Sequence, residues 1–191
     1  MKLPEGAFDA YLFDCDGTLA HSMPIHYQAW KEVLAPWNCE FPETLFYEWA
    51  GRPTEAIIHS LNEIHQLKMP FKAIDQERDR LYFEYLPKVQ PVAEVIEHVH
   101  DGFGRIPMAV VSGSPRASVI KTLTYLGIED RFGAIVGAED YSKGKPHPEP
   151  FLTAAKRLGV APNRCLVFED AQLGIQSAIA ANMSWVKVPS Y

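Results

Sequence analysis

An α/β fold, with a doubly wound, mainly parallel sheet of Rossmann-like order and a small inserted helical domain, is what this sequence predicts. Three features point to it: short uninterrupted apolar runs, helical patterns between them, and one long stretch near the N-terminus that is helical throughout. Strands covered by helices on both faces need continuous apolar runs rather than alternating ones. Regular alternation of strand and helix then implies right-handed crossovers within one parallel sheet.

The first run, 8–13, is mostly aromatic or aliphatic and ends abruptly in Asp14-Cys15-Asp16-Gly17-Thr18, as a buried strand feeding a loop does. Similar runs occupy 106–111, 134–137, 165–168 and 185–188. Between them, Val92, Val95, Ile96 and Val99 fall at helical spacing, as do Val119, Ile120, Leu123 and Leu126 before Gly127, and Phe151, Leu152, Ala155 and Leu158 before Gly159. A glycine just past the last periodic residue is a helix stop. From about 20 to 87 no strand pattern is present. Ile25, Ala29, Trp30 and Val33 make one helical face, and further helices are predicted over 54–65 and 73–86. Hinges are expected near Met23-Pro24 and Leu86-Pro87. The domain reading is therefore a core of 1–19 and 88–191 and a cap of 20–87, the residues after Pro189 being a frayed end.

Composition bounds the function. Apolar residues make up 47% and charged residues 22% of 191 positions, the balance of a globular chain. Nothing in the formal net charge of −6 favours nucleic acid or an anionic membrane, because both call for clustered Lys and Arg. No apolar run approaches a membrane span, and no secretory signal core is visible. Three cysteines, an odd number without metal spacing, favour a reducing compartment, so a cytoplasmic, monomeric protein is expected.

Four segments fall at the C-terminal ends of predicted strands, the edge where open α/β sheets bind ligands. Asp14 and Asp16 are two apart in an extended segment and face one spot. Their repulsion calls for a shared proton or a cation, and Mg2+ suits oxygen ligands. One carboxylate is a candidate nucleophile and its neighbour a candidate proton carrier. Ser112-Gly113-Ser114 offers a hydroxyl and free backbone for a phosphate cradle. Lys145, between Gly144 and Pro146, can neutralise a phosphate. Glu169-Asp170 adds two carboxylates for a metal shell. Taken singly, each has a plainer explanation. Asp and Gly are turn residues, Ser114 can cap a helix over 115–126, Asp170 can cap one over 171–181, and Lys145 can be solvated. Cys15 is expected to turn into the core, and His98 and His100 to be surface histidines.

The series Asp14-Cys15-Asp16-Gly17-Thr18, Ser112, Lys145-Pro146 and Glu169-Asp170 resembles the four motifs of the haloacid-dehalogenase superfamily, over nearly the whole chain and with the helical insert in the C1 cap position. The resemblance implies Asp14 as a nucleophile that becomes phosphorylated and Asp16 as the acid that protonates the leaving group, then activates water. Ser112, Gly113, Ser114 and Lys145 would hold the phosphoryl group. Magnesium would bind Asp14, the Asp16 backbone carbonyl and Asp170, with Glu169 in support. Within the superfamily the chain looks most like the β-phosphoglucomutase and sugar-phosphatase branch. That likeness rests on 26–30, Gly51-Arg52-Pro53-Thr54 and 165–175. It places His26 and the Gly51 loop, with Arg52, near the substrate mouth. Most relatives carry an acidic residue where this chain has His21. Mutases tend to carry Arg where this chain has Thr54, which favours hydrolysis of small sugar phosphates such as fructose 1-phosphate or 6-phosphogluconate. A phosphoglucomutase activity is the alternative, and a receiver-like phospho-aspartate switch is less favoured because such a switch has no use for Asp16.

Overall fold

The computed structural model describes residues 1–189. Five parallel strands form one sheet in the order β3-β2-β1-β4-β5: β1 Ala10–Phe13, β2 Met108–Val111, β3 Ala134–Val136, β4 Cys165–Glu169 and β5 Ser184–Lys187. All five apolar runs are strands. Phe13 and Phe168 pack with α5 (Ala93–Gly102) and α6 (Arg116–Leu126) on one face. Ala10, Leu12 and Val167 pack with α7 (Glu149–Leu158) and α8 (Gln172–Ala180) on the other. Side chains of successive strand residues thus enter two different cores, which is why the runs carry no polar alternation. Gly127 and Gly159 end α6 and α7 with φ of 71° and 70°, as expected of glycine stops.

The segment between β1 and α5 is wholly helical: α1 Met23–Leu34, α2 Glu43–Glu48, α3 Thr54–His65 and α4 Phe71–Tyr85. It has its own core, built on Trp30, Phe41, Phe46, Ile58 and Leu61. The short α2 carries no readable period and was not foreseen. It is held by Phe46, whose ring meets Phe41 and Tyr27. The two crossings between insert and sheet domain pair with each other. Val92 N–H donates to Leu19 at 3.0 Å and His21 N–H to Gln90 at 2.8 Å. The paired stretches are 19–21 and 90–92. Pro24 occupies the first turn of α1, where a missing N–H costs nothing. The expected frayed end after Pro189 lies outside the described residues. Among the described residues no helix is long and apolar enough to cross a membrane.

Candidate active site

At the C-terminal edge of the sheet an open cleft lies between the strand ends and the insert. Strand β1 delivers Asp14, the β2 exit delivers Ser112, and β4 delivers Glu169 and Asp170. The loop before α7 delivers Lys145. The central strands β1, β2 and β4 are adjacent, so residues distant in sequence meet.

The Lys145 ammonium donates to Asp14 Oδ1 and Glu169 Oε2, both at 2.7 Å, and to the Val111 carbonyl at 3.1 Å. The lysine is buried, so its solvated-surface reading is wrong. Burial alone would lower its pKa, but Asp14 and Glu169 outweigh that and raise it. Carboxylate oxygens of Asp14, Glu169 and Asp170 lie within 4.8 Å of one another. Burial pushes Asp14 above its ordinary value, with Lys145 only partly offsetting it and Asp16 adding to it; burial and then the charge of Asp14 push Glu169 to about 8 and Asp170 to about 7, again against Lys145. Three carboxylates around one ammonium leave negative charge uncompensated, and all the donors are oxygen. That donor set fits a hard divalent cation.

Two glycines make room for these acids. Gly17 has φ +91°, and a Cβ there would overlap the Asp170 carboxyl. Gly174, inside α8, faces Glu169 so closely that a Cβ would overlap its carboxylate. Glu169 Oε1 also accepts the Ala171 N–H at 3.0 Å. Asp170 does not cap α8: that helix begins with Ala171 at its N-cap and no side-chain cap, while Asp170 accepts the Thr18 hydroxyl at 3.2 Å.

Asp16 lines the same cleft, yet its carboxylate is outside the three-acid cluster. It accepts Ser22 Oγ at 2.7 Å and Ser114 Oγ at 3.0 Å, and meets His26 Nε2 at 2.9 Å. Burial would raise its pKa, but His26, Ser22 and Ser114 together hold it well below the carboxylate range. As a side-chain metal ligand Asp16 is thus turned the wrong way, its oxygens spent on the insert and the β2 loop. Ser114 does not cap α6, whose N-cap is Pro115 with no side-chain cap. Its N–H instead donates to Ser112 Oγ at 3.0 Å, which leaves the Ser112 hydroxyl proton free to be donated. Gly113 is exposed in the cleft. Tyr141 OH braces the loop through the Ser112 carbonyl at 3.0 Å.

His26 borders the cleft as a wall rather than a mouth: its ring stacks on Tyr82 at 4.2 Å and its Nε2 is turned to Asp16. Arg52 also lines the cleft, but its guanidinium donates to Ser60 Oγ at 2.9 Å and covers the Trp49 ring at 4.3 Å. Cys15 is buried in the core as expected. His98 is not a free surface residue, since its ring packs against Phe168 at 5.5 Å. The supporting roles of Thr18, Ser22, Tyr82 and Gly174 were missed. Thr18 stands in the first motif with no role assigned to it, and Gly174 shows as a glycine inside an otherwise helical pattern.

The sequence of residues 11–188 matches the family model described as haloacid dehalogenase-like hydrolase. The chain belongs to the haloacid dehalogenase-like hydrolases. Fructose-1-phosphate phosphatase YqaB of Escherichia coli (strain K12) is 36% identical to it over 178 residues, which span 93% of this chain and 94% of that protein. A β-phosphoglucomutase of Bacillus subtilis (strain 168) is 30% identical over 193 residues, spanning 94% and 82%. Among solved structures, β-phosphoglucomutase from Clostridium difficile superimposes with a TM-score of 0.84 at 27% identity, covering 96% of this chain and 86% of that one. This haloacid dehalogenase-like hydrolase is therefore an enzyme, and its acidic cluster stands at the sheet edge where an α/β fold places a site.

Proposed function

We propose that the chain is a Mg2+-dependent phosphatase of small phosphorylated metabolites, sugar phosphates such as fructose 1-phosphate or 6-phosphogluconate, working through an aspartyl-phosphate on Asp14. One observation carries the reading: a buried ammonium that bridges Asp14 and Glu169, beside a third carboxylate within 4.8 Å. The likeness to a fructose-1-phosphate phosphatase supports the substrate class.

In this reading an Asp14 carboxylate oxygen attacks phosphorus and the bond to the sugar oxygen breaks. Asp16 gives that oxygen its proton. Asp16, again a carboxylate, then takes a proton from water, whose oxygen attacks the phosphoryl group and frees Asp14 with release of phosphate. Lys145, the Ser112 hydroxyl and the backbone of Gly113 and Ser114 hold the phosphoryl oxygens. Phosphoryl transfer asks mainly for such positioning and neutralisation. Magnesium would be held by Asp14 and Asp170, with the Asp16 carbonyl and with Glu169 in support. It would supply charge neutralisation at the transferring group.

Residues 20–87 act as the cap, closing on a core of 1–19 and 88–191. His26 fixes Asp16, and the Gly51 and Arg52 loop faces the phosphate loop. The free, buried cysteines Cys15, Cys39 and Cys165 fit a cytoplasmic setting. The likeness to β-phosphoglucomutases favours a second reading, transfer of the phosphoryl group to another sugar hydroxyl.

Phosphate release from a panel of sugar phosphates, with and without Mg2+, tests the proposal. Asp14→Asn should lower turnover about 10⁴-fold or more. Full activity in that variant would refute the reading. Glucose 6-phosphate formed from β-glucose 1-phosphate, in place of free phosphate, would establish the mutase.

A further inference from the structure

Two side chains of the loop before α7 hold two successive carbonyls at the exit of β2. Lys145 Nζ donates to the Val111 carbonyl at 3.1 Å, and Tyr141 OH donates to the Ser112 carbonyl at 3.0 Å. The Ser112 carbonyl belongs to the same peptide unit as the Gly113 N–H. A peptide is planar, and this one is trans, so its C=O and N–H point in opposite directions. A grip on the carbonyl is therefore a grip on the direction of the amide. Tyr141 packs against the α7 and α8 side of the core and is not part of the cleft lining, whereas Gly113 is. The neighbouring amides are spent: Ser112 N–H donates to Val136 at 3.0 Å, and Ser114 N–H to Ser112 Oγ at 3.0 Å. Among the described residues the Gly113 N–H meets no acceptor.

We propose that Tyr141 is a positioning residue for phosphoryl transfer: its hydroxyl, by holding the Ser112 carbonyl, aims the Gly113 N–H at an oxygen of the transferring group. The inference rests on the phosphohydrolase reading of the site and deepens it. Gly113 makes such a hold necessary. Turning the peptide over rotates the φ of the residue that follows it by about half a turn, and only glycine accepts either value at little cost. Without Tyr141 the amide has a second orientation, facing away from the cleft. The bond to the carbonyl also polarises the peptide unit and strengthens its N–H as a donor. Burial raises the Tyr141 pKa, with Lys145 opposing it and Asp14 adding to it, so the phenol keeps its proton in neutral solution. The Lys145 loop itself has other ties. Glu149 accepts the Ser142 N–H at 2.9 Å and the Lys143 N–H at 3.0 Å, and Ser177 Oγ donates to the His147 carbonyl at 2.7 Å. Loss of the phenol hydroxyl therefore falls on the 112–113 peptide rather than on Lys145.

Tyr141→Phe keeps the ring and deletes only the hydroxyl, and a thermal melt verifies its fold. Removing a donor to a transition-state oxyanion costs about 10²–10³ in turnover, so a donor that is present but no longer held should cost about 10-fold or more. The fall should appear in kcat/KM for a sugar monophosphate and for para-nitrophenyl phosphate alike, because the phosphoryl group is common to both, and mainly through kcat. Binding of orthovanadate, which adopts the five-coordinate geometry of the transferring phosphorus, should weaken by a similar factor. Nitrogen-15 NMR reads the amide itself. Inorganic phosphate, added with Mg2+, should move the Gly113 amide proton downfield in the native protein and far less in Tyr141→Phe. Unchanged kcat/KM in the variant overturns the assignment. So does a fall carried by KM with vanadate binding unaltered, or a Gly113 amide that responds equally in both proteins or in neither. In each of these cases the phosphohydrolase reading stands. Absence of turnover on every ester, with Mg2+ present, sinks that reading itself.

Discussion

Replacing Gly174 with alanine inverts an ordinary rule. In a helix interior Ala is favoured over Gly by up to about 1 kcal/mol, and Gly174 lies within α8. The three atoms nearest to a Cβ at this position, however, all belong to the Glu169 side chain. Glu169 is 1% exposed and held at both carboxylate oxygens, by Lys145 at 2.7 Å and by the Ala171 N–H at 3.0 Å. To admit the methyl group it must give up one bond or both. A buried hydrogen bond to a charged group is worth about 1.5–3 kcal/mol, and overpacking adds about 1–3 kcal/mol. After the gain in helix propensity, Gly174→Ala should destabilise by about 2–5 kcal/mol, which for a chain of this length is a fall in Tm of about 4–20 °C. Phosphate release should drop with it, because Lys145 loses the partner that holds it toward Asp14. Thermal melts of a double-mutant cycle supply the decisive check. In a Glu169→Ala background the colliding side chain is gone, so the same substitution should become neutral or stabilise by up to about 1 kcal/mol. Equal destabilisation in both backgrounds, or none in the native one, would refute the reasoning.

Other outcomes follow from the same geometry. His26→Gln removes the ring that most strongly opposes the effect of burial on Asp16, so the Asp16 carboxyl should titrate higher; carbon-13 NMR of that carboxyl reads the shift, and an unmoved titration would show that Ser22 and Ser114 suffice. Without metal, Glu169 and Asp170 bind protons more tightly folded than unfolded, so the stability they contribute is present below the ordinary carboxylate range and is lost as pH rises through about 7 and about 8. Mg2+ must displace those protons, so its stabilising effect in thermal melts should grow across the same window, and a pH-independent effect would refute the account. Thr18→Val, which deletes the hydroxyl that donates to Asp170, should weaken Mg2+ binding measured by calorimetry by about 10-fold, the lower range for a residue that orients a metal ligand.

The sheet was legible because burial on both faces writes itself as continuous apolar runs, and each such run is a strand. The four site segments were legible for a topological reason: loops that leave the C-terminal ends of parallel strands, three of them just past β1, β2 and β4 and one ahead of α7, meet along one edge whatever their separation in the chain. What escaped was the supporting layer. Ser114 and Asp170 read as helix caps because a polar residue ahead of a helix nearly always is one. Here their oxygens go to Asp16 and Thr18, pairings that arise only once β1 lies between β2 and β4. The family likeness places His26 near the substrate mouth but says nothing of its ring rotation, which stacking on Tyr82 decides. The short α2 escaped because six residues give too little room for a period.

Asp14 and Asp16 stand on one loop, two residues apart, yet their surroundings drive them in opposite directions. Burial, only partly offset by Lys145, moves Asp14 up; donors overcome burial and move Asp16 down. The groups that act on Asp14 come from the sheet edge. Two of the three that act on Asp16, Ser22 and His26, come from the polypeptide beyond the first crossing at 19–21, and His26 is anchored there by Tyr82, whose hydroxyl in turn meets Thr122 of α6 at 2.8 Å. Asp16 is therefore pinned as an anion by the insert, while the acid role asks it to carry a proton. Any movement of the insert that takes Ser22 and His26 away removes the donors and returns Asp16 toward the carboxylate range. The position of the insert thus bears directly on the proton affinity of Asp16, and the Tyr82–Thr122 bond between α4 and α6, with Lys121 over the Phe83 ring at 3.8 Å, is among the contacts that hold that position.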